Sequence, residues 1–432
     1  MYKLSKFNYS CFNYKNELLL FNTLKGTESM CKIIDKNNQE KFLNNFKLLD
    51  QRIVDKLINK GLIINEDVDE DRKLDSLIQK YMAPKDLSIT ISPTEGCNFR
   101  CKYCYETHEN LRMSSETREN IISFVKDNIH KFTDLNINWF GGEPLLMLNE
   151  VIDMSEKFIE ISKFYRRRYS AAMTTNGYLL DINTFKKLLN ARINIFQITI
   201  DGIEYIHNNQ RPLINGNKTF STIYSNLMEI KKLKNRNFHI MIRSNFTKDV
   251  FENLDEYIQL IDRLCSNDSR FSLTLCYAAE WSNNIDTEFK KKFLENLNSL
   301  TPIYELILKQ NKKINFVFPL DSENGNCNLG RNDRYFFRPN GEIHKCTVCF
   351  ENKSNIIGKI INNKVELNDN IYNRMLITNR CGKIYECFYS PICKGEVCPS
   401  QRKNKIYCPD GKTNLNYYLM LKDNCSAFEA ID

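Results

Sequence analysis

The sequence predicts an α/β protein built on a run of parallel strands, preceded by a small α+β module and followed by a cysteine-rich segment. Three observations carry this reading. From Asp86 to residue 310, short runs rich in β-branched residues alternate with helical apolar spacing, the pattern of strands joined by crossover helices. The first 85 residues mix short strands and helices and hold no cluster of reactive side chains. The last third gathers nine of the sixteen cysteines.

Composition narrows the class. A chain of 432 residues has room for two or three domains, here 1–85, 86–310 and 311–432, and 42% hydrophobic with 26% charged residues is ordinary for a soluble protein. The net charge of +8 is a modest surplus without a long basic run; Arg166-Arg167-Arg168 reads as a solvated edge, so no nucleic-acid partner is expected. Neither a signal peptide nor an apolar run of transmembrane length is present, so the expectation is a cytoplasmic protein with no membrane partner. In a reducing cytoplasm, clustered cysteines are metal ligands more often than disulfides.

In the N-terminal module, Leu18 to Leu24 reads as a strand, Lys25-Gly26 as a turn and Asn44 to Lys60 as a helix. Gly61 follows as a C-cap and Leu62 to Ile64 as another strand, which together fit a small winged-helix-like fold. The acidic stretch Glu66 to Asp75 reads as a connector. Six strands are then expected at Leu87–Ser92, Ile137–Phe140, Tyr169–Thr174, Ile195–Ile200, His239–Arg243 and Phe271–Cys276, too few for an eight-unit barrel. In such β/α folds the chemistry sits at the carboxyl ends of the strands.

The first strand is followed by Cys97, Cys101 and Cys104, spaced C-x3-C-x2-C. Iron–sulfur clusters usually take four thiolates, so three leave one iron of a 4Fe-4S cluster open. Zinc is the competing reading, with a fourth ligand from elsewhere in the chain. Phe140-Gly141-Gly142-Glu143-Pro144-Leu145 follows the second strand, where two glycines let backbone approach a ligand and Glu143 offers a carboxylate. Asn176 closes the third strand, Thr199 and Asp201 the fourth, and Arg243 and Asn245 the fifth; each could equally serve a strand-ending turn or an ion pair at the barrel mouth. His207 and Arg211 lie beyond the fourth strand, facing an approaching substrate.

The cysteine triplet with its neighbours resembles the radical S-adenosylmethionine (SAM) superfamily. That resemblance implies a partial (β/α)6 TIM-type barrel, a 4Fe-4S cluster on Cys97, Cys101 and Cys104, and SAM on the open iron. It further implies that Tyr103 lies near the adenine, that Gly141, Gly142, Glu143 and Pro144 hold the amino group, and that Asn176, Thr199, Asp201, Arg243 and Asn245 contact the rest of the cofactor. Cys327, Gly341 and Cys346 fit the first half of the SPASM motif, C-x9-15-G-x4-C, on a hairpin from Phe337 to Cys346. The second half, C-x2-C-x5-C-x3-C, fits Cys387 and Cys393, but Ile384 stands at the earlier position and one residue too many precedes Cys398.

By that family's pattern Cys327, Cys346 and Cys398 serve one auxiliary 4Fe-4S cluster. Cys387, Cys393 and either Cys408 or Cys425 serve a second, with Cys349 and Cys381 for the vacant places. Zinc ribbons are the other reading of this region. Cys11, Cys31, Cys265 and Cys276 read as ordinary buried thiols. Members with such tails modify peptides, by thioether or carbon–carbon crosslinks or by epimerisation, and draw electrons from a ferredoxin or flavodoxin. The implied partner is a precursor peptide, with residues 1–85 as a leader-binding module near Leu18 to Phe21 or, alternatively, a scaffold cap. An anaerobic sulfatase-maturating enzyme is the second reading, although the sixth strand has no carboxylate. A cluster-bearing electron carrier is the third, against which the ammonium-binding loop argues.

Overall fold

The computed structural model describes residues 1–83, 85–278, 280, 285, 287–294, 300–317, 320, 331, 333–348, 353–362, 364–368, 381–395, 408 and 410–432. The chain opens with β1 (Tyr2–Leu4), β2 (Asn8–Phe12), β3 (Leu18–Asn22) and β4 (Gly26–Ile33), then α1 (Lys36–Asn45), α2 (Gln51–Asn59), β5 (Ile63–Asn65) and α3 (Glu70–Met82). Every residue of β3 is buried because both its faces are covered. Leu19 and Phe21 point into the main core, while Leu18 and Leu20 join a second core with Phe42, Val54 and Leu57 of α1 and α2.

Three expectations for this module need correction. The helix expected over Asn44 to Lys60 is interrupted, because Asn45 and Asp50 use their side chains as N-caps, accepting the N–H groups of Lys47 and Arg52. Gly61 does end α2, with positive φ, and its N–H bonds the Ile58 carbonyl at 2.9 Å. The acidic connector is in fact the start of α3. Asp69 caps it, Glu70 and Asp71 lie in its first turn, where negative charge complements the helix dipole, and Leu74, Ile78 and Tyr81 form its buried stripe. The third correction is that β3 lies between β2 and β4, so Leu18 to Phe21 has no free sheet edge to offer a peptide.

Six strands follow: β6 (Asp86–Ile91), β7 (Asp134–Trp139), β8 (Arg168–Thr175), β9 (Ile193–Thr199), β10 (His239–Phe246) and β11 (Phe271–Tyr277). They pair in chain order and all in parallel, with helices in the gaps, as the sequence predicts for a partial (β/α)6 barrel. The register sets Ile91 beside Trp139 and Trp139 beside Met173, so the carboxyl ends gather on one side. Among the described residues, no helix is long and apolar enough to cross a membrane.

The sheet does not stop at the sixth unit. β12 (Arg334–Phe337) pairs in parallel with β6 and continues antiparallel through β13 (Glu342–His344), β14 (Ile356–Ile361) and β15 (Lys364–Leu367), giving ten strands among the described residues. The hairpin predicted from Phe337 to Cys346 is therefore stitched directly to the strand that precedes the cysteine loop. A last short strand, β16 (Glu429–Ala430), returns to pair with β4. Of the four thiols read as buried, Cys31 and Cys265 are, while Cys11 and Cys276 are half-buried: Cys11 packs against the main core from the strand β2, and Cys276 lies on the less covered face of β11.

Buried Asn355 fixes the hairpin end that carries Cys346. Its side-chain oxygen accepts the N–H groups of Lys345 at 3.1 Å and Cys346 at 2.7 Å, and its amide donates to the Cys346 carbonyl at 2.8 Å. Asn355→Ala leaves that buried backbone short of partners, and we expect a loss of about 1–3 kcal/mol, read as a lower urea midpoint with unchanged slope; an unmoved midpoint would show that the contact is dispensable.

Candidate functional site

The segment after β6 is held on two sides by backbone. On one side Thr94 bridges Arg112, and the Glu95 N–H bonds the Leu111 carbonyl at 3.0 Å. On the other, the N–H groups of Arg100 and Lys102 bond the carbonyls of Pro212 (2.9 Å) and Gln210 (3.0 Å), and Phe99 bridges Leu213. Cys97, Cys101 and Cys104 are thus presented, half-buried, on a loop whose backbone is already committed. Burial first, and then the Glu143 carboxylate, push the Cys97 thiol up to about 12. A metal bound there must therefore displace a proton.

The Gly141-Gly142 loop packs directly on this segment. The Gly142 N–H bonds the Thr94 carbonyl at 3.1 Å and the Glu143 N–H bonds that of Gly96 at 3.0 Å. Gly141 has φ +104°, and a Cβ there would collide with Ser92 Oγ; one on Gly142 would collide with the Gly96 carbonyl oxygen and lie 2.6 Å from that of Glu95. Only glycine fits both positions.

Glu143 is fully buried. Its carboxylate accepts the Leu145 N–H at 3.0 Å, the Thr175 hydroxyl at 2.7 Å and the Asn176 N–H at 2.8 Å, tying the ends of β7 and β8 together. A carboxylate has about four acceptor sites, so three internal bonds leave one for a ligand. Burial raises its pKa while the three bonds and Arg211 oppose the rise.

A second polar knot joins the cysteine loop to β9 and β10. The Tyr103 hydroxyl donates to Asp201 and accepts from Arg211, and Asn245 Nδ2 also reaches it at 3.1 Å. Fully buried Asp201 takes the Asn245 N–H at 2.7 Å and has Arg211 at 3.6 Å. Arg243 Nε donates to Asn245 Oδ1 at 3.1 Å. His207 does not face a substrate: it lies in the helix Glu204–Gln210, fully buried, its Nδ1 accepting the Asp201 N–H at 3.2 Å and its ring edge-on to Phe220.

A cleft with about 960 Å³ of empty space, its open mouth included, runs along these strand ends. The three cysteines, Tyr103, Gly141, Gly142, Asn176, Thr199, Arg211, Arg243 and Asn245 line it; Glu143, Pro144 and Asp201 stand behind the lining. Tyr105, Glu106, Gln197 and Tyr277 also line it, and the sequence reading passed over them. For Glu106 a signal was present, since a carboxylate two residues beyond Cys104 is carried by the same loop. Burial and then Glu95 push it up to about 8. Glu106 Oε2 and Arg211 Nε are buried without a partner among the described residues, as polar atoms awaiting a ligand would be. The thiols, the side-chain-free backbone cradle and these orphaned atoms fit a cluster with a polar organic ligand beside it.

In the tail, burial first and then the neighbouring thiols Cys387, Cys408 and Cys381 push the Cys393 thiol up to about 11, so these four share one neighbourhood. Lys412 Nζ lies 3.9 Å from Cys408 Sγ. Cys425 stands apart from them, its thiol influenced instead by Lys422 and Lys313. Cys346 is close enough to act on Tyr105, a cleft-lining residue. Cys327, Cys349 and Cys398 lie outside the described residues. Among the described residues no three His, Cys, Asp or Glu side chains converge on a single ion, whereas a cluster spreads its thiolates over separate irons.

The class this fold and site define is that of a radical SAM domain: residues 91–261 match the model of the Radical SAM superfamily. Among individual proteins, the GTP 3',8-cyclase of Aliarcobacter butzleri (strain RM4018) is 36% identical over 120 residues, 26% of this chain and 34% of that protein. The S-adenosylmethionine-dependent nucleotide dehydratase of Pseudoalteromonas ulvae is 29% identical over 138 residues, 28% of this chain and 42% of that one. The chain spans about a third of the length of the first of these curated relatives. Among solved structures, native anSMEcpe with bound AdoMet and Cp18Cys peptide aligns with TM-score 0.58 and 18% identity over 79% of this chain and 97% of that one. Streptococcus suis SuiB bound to precursor peptide SuiA aligns with TM-score 0.51 and 14% identity over 93% and 97%. At such identities the likeness is one of fold.

Glu143→Gln places an amide N–H₂ against a backbone N–H whichever way it turns. We expect it to destabilise the cofactor-free chain by about 1–3 kcal/mol, read as a lower urea midpoint, and to weaken SAM binding in the loaded one. An unchanged midpoint would remove Glu143 from the framework of the site.

Proposed function

We propose that this chain is a radical SAM enzyme that modifies a ribosomally synthesised peptide, by a thioether or carbon–carbon crosslink or by epimerisation. The observation that carries the reading is the extent of the fold likeness, which for SuiB with its precursor peptide covers 93% of this chain and so runs well beyond the barrel. Cys97, Cys101 and Cys104 would hold a 4Fe-4S cluster, Gly141 and Gly142 would let SAM approach the backbone, and the remaining acceptor site of Glu143 would take its ammonium. Asn176, Thr199, Arg243 and Asn245 supply polar contacts along the cleft, and Pro144 fixes the turn. Asp201 holds Tyr103 and Asn245 in place from behind. When bound and reduced from outside by a ferredoxin or flavodoxin, the cluster and SAM supply a 5'-deoxyadenosyl radical that abstracts hydrogen from the substrate.

Cys381, Cys387, Cys393 and Cys408 would hold one auxiliary cluster of a SPASM-type tail. Cys346, with Cys327, Cys349 and Cys398, would hold another. The module of β1 to α3 would receive the leader of the precursor. It cannot be tested by deletion, because Leu19, Phe21 and Met30 belong to the main core and Thr23 bonds the Phe388 carbonyl.

A nucleotide substrate is the second reading, favoured by the 36% identity to GTP 3',8-cyclase. The sulfatase-type reading finds no carboxylate on β11, whose Tyr277 lines the cleft. The test is deuterium transfer. With reconstituted protein, dithionite and SAM, a deuterated candidate precursor peptide should stimulate deoxyadenosine formation and pass deuterium into it, while GTP should do neither. Stimulation by GTP alone would replace the peptide reading with the nucleotide one.

A further inference from the structure

The outer edge of β4 is occupied by the chain's own residues 429–432. Glu429 and Ala430 pair in parallel with Cys31 and Lys32, and the Ile431 N–H bonds the Lys32 carbonyl at 3.1 Å. Ile431 is fully buried, in the second core among Leu18, Leu20, Ile33 and Phe42 and away from the barrel. The Asp432 side-chain carboxylate accepts the N–H groups of Ile34 and of Asp35, the latter at 2.9 Å. Lys56 Nζ reaches the Ile431 carbonyl at 3.2 Å and Lys60 pairs with Glu429 at 3.0 Å.

This is the chemistry of peptide capture by strand addition: main-chain bonds to a sheet edge, one side-chain pocket and one carboxylate receiver. The attachment is short. Only two of the eight residues of β4 pair with it, Glu429, Ala430 and Asp432 are exposed, and the ion pair of half-buried Lys60 with exposed Glu429 holds weakly. Phe428 is buried in the main core, so the chain is anchored immediately before this segment, independently of the β4 edge.

We propose that the β4 edge and the Ile431 pocket form a groove for an extended peptide bearing an aliphatic residue followed at once by Asp or Glu, and that residues 429–432 fill it until such a peptide displaces them. The proposal rests on the reading of the N-terminal module as a leader receiver, and it supplies that site's ligand chemistry and its resting occupant. An internal occupant lowers apparent affinity by the fraction of time the groove stands open.

The probe is a fluorescein-labelled peptide of the segment itself, Ser-Ala-Phe-Glu-Ala-Ile-Asp, titrated by anisotropy into the full chain, into Ile431→Ser and into Asp432→Lys. Both variants should bind it roughly tenfold or more tighter than the unaltered chain. A probe with serine for isoleucine or asparagine for aspartate should lose roughly tenfold. Asp432→Lys changes an exposed position and carries the test if Ile431→Ser fails to fold. Folded variants that bind no tighter than the unaltered chain overturn the proposal and make residues 429–432 a permanent strand. Precursor peptide is then added as competitor: if it fails to displace a tightly bound probe, the groove stands and the leader reading falls.

Discussion

The site depends on a contact between two loops that has no room for a side chain. Gly142 and Glu143 donate their backbone N–H groups to Thr94 and Gly96, and a Cβ on either Gly141 or Gly142 would push the loops apart. This contact sets the distance between the cysteine loop after β6 and the backbone after β7. The thiols then have little freedom left, since the far side of their loop is pinned to residues 210–214. The geometry offered to a cluster is a property of the backbone before any metal arrives.

Two buried carboxylates extend that constraint across the barrel. Glu143 draws in the ends of β7 and β8, and Asp201 draws in the cysteine loop through Tyr103 and β10 through Asn245. Both are satisfied by donors from the chain itself, which is how a buried charge is tolerated. Their position behind the cleft lining makes them organisers first. What remains for a ligand is the fourth acceptor site of Glu143, the thiols, the bare backbone at Gly141 and Gly142, and the rim of Tyr103, Asn176, Thr199, Arg211 and Arg243. A further ion pair, Arg338 with Glu95, ties the tail hairpin to the start of the cysteine loop, so these two regions are mechanically joined.

What the sequence made legible is what is local. β6 to β11 announce themselves by β-branched runs, and the C-x3-C-x2-C and Gly-Gly-Glu-Pro stretches by spacing alone. The pairing of β12 with β6 and of β16 with β4 could not be read, because a strand of two to four residues carries no mark of its distant partner. The start of α3 was hidden by its acidic first turn, whose charges look like a linker until Asp69 is seen as a cap. Glu143 was legible as a carboxylate near the cofactor; its three internal bonds were not, since they depend on Thr175 and Asn176 across a strand boundary. The grouping of Cys381 with Cys387, Cys393 and Cys408 is likewise a product of the folded tail, and the motif's spacing did not single it out.

We propose that Cys97, Cys101 and Cys104 hold a cluster with one iron open to SAM. Electron paramagnetic resonance of anaerobically reconstituted, dithionite-reduced protein, recorded with and without SAM, tests it most directly. The expected result is a reduced-cluster signal that changes when SAM is added, and loss of that SAM-sensitive component, with other iron signals retained, when the three cysteines are replaced by alanine. A spectrum indifferent to SAM in the fully iron-loaded, unaltered chain would contradict it.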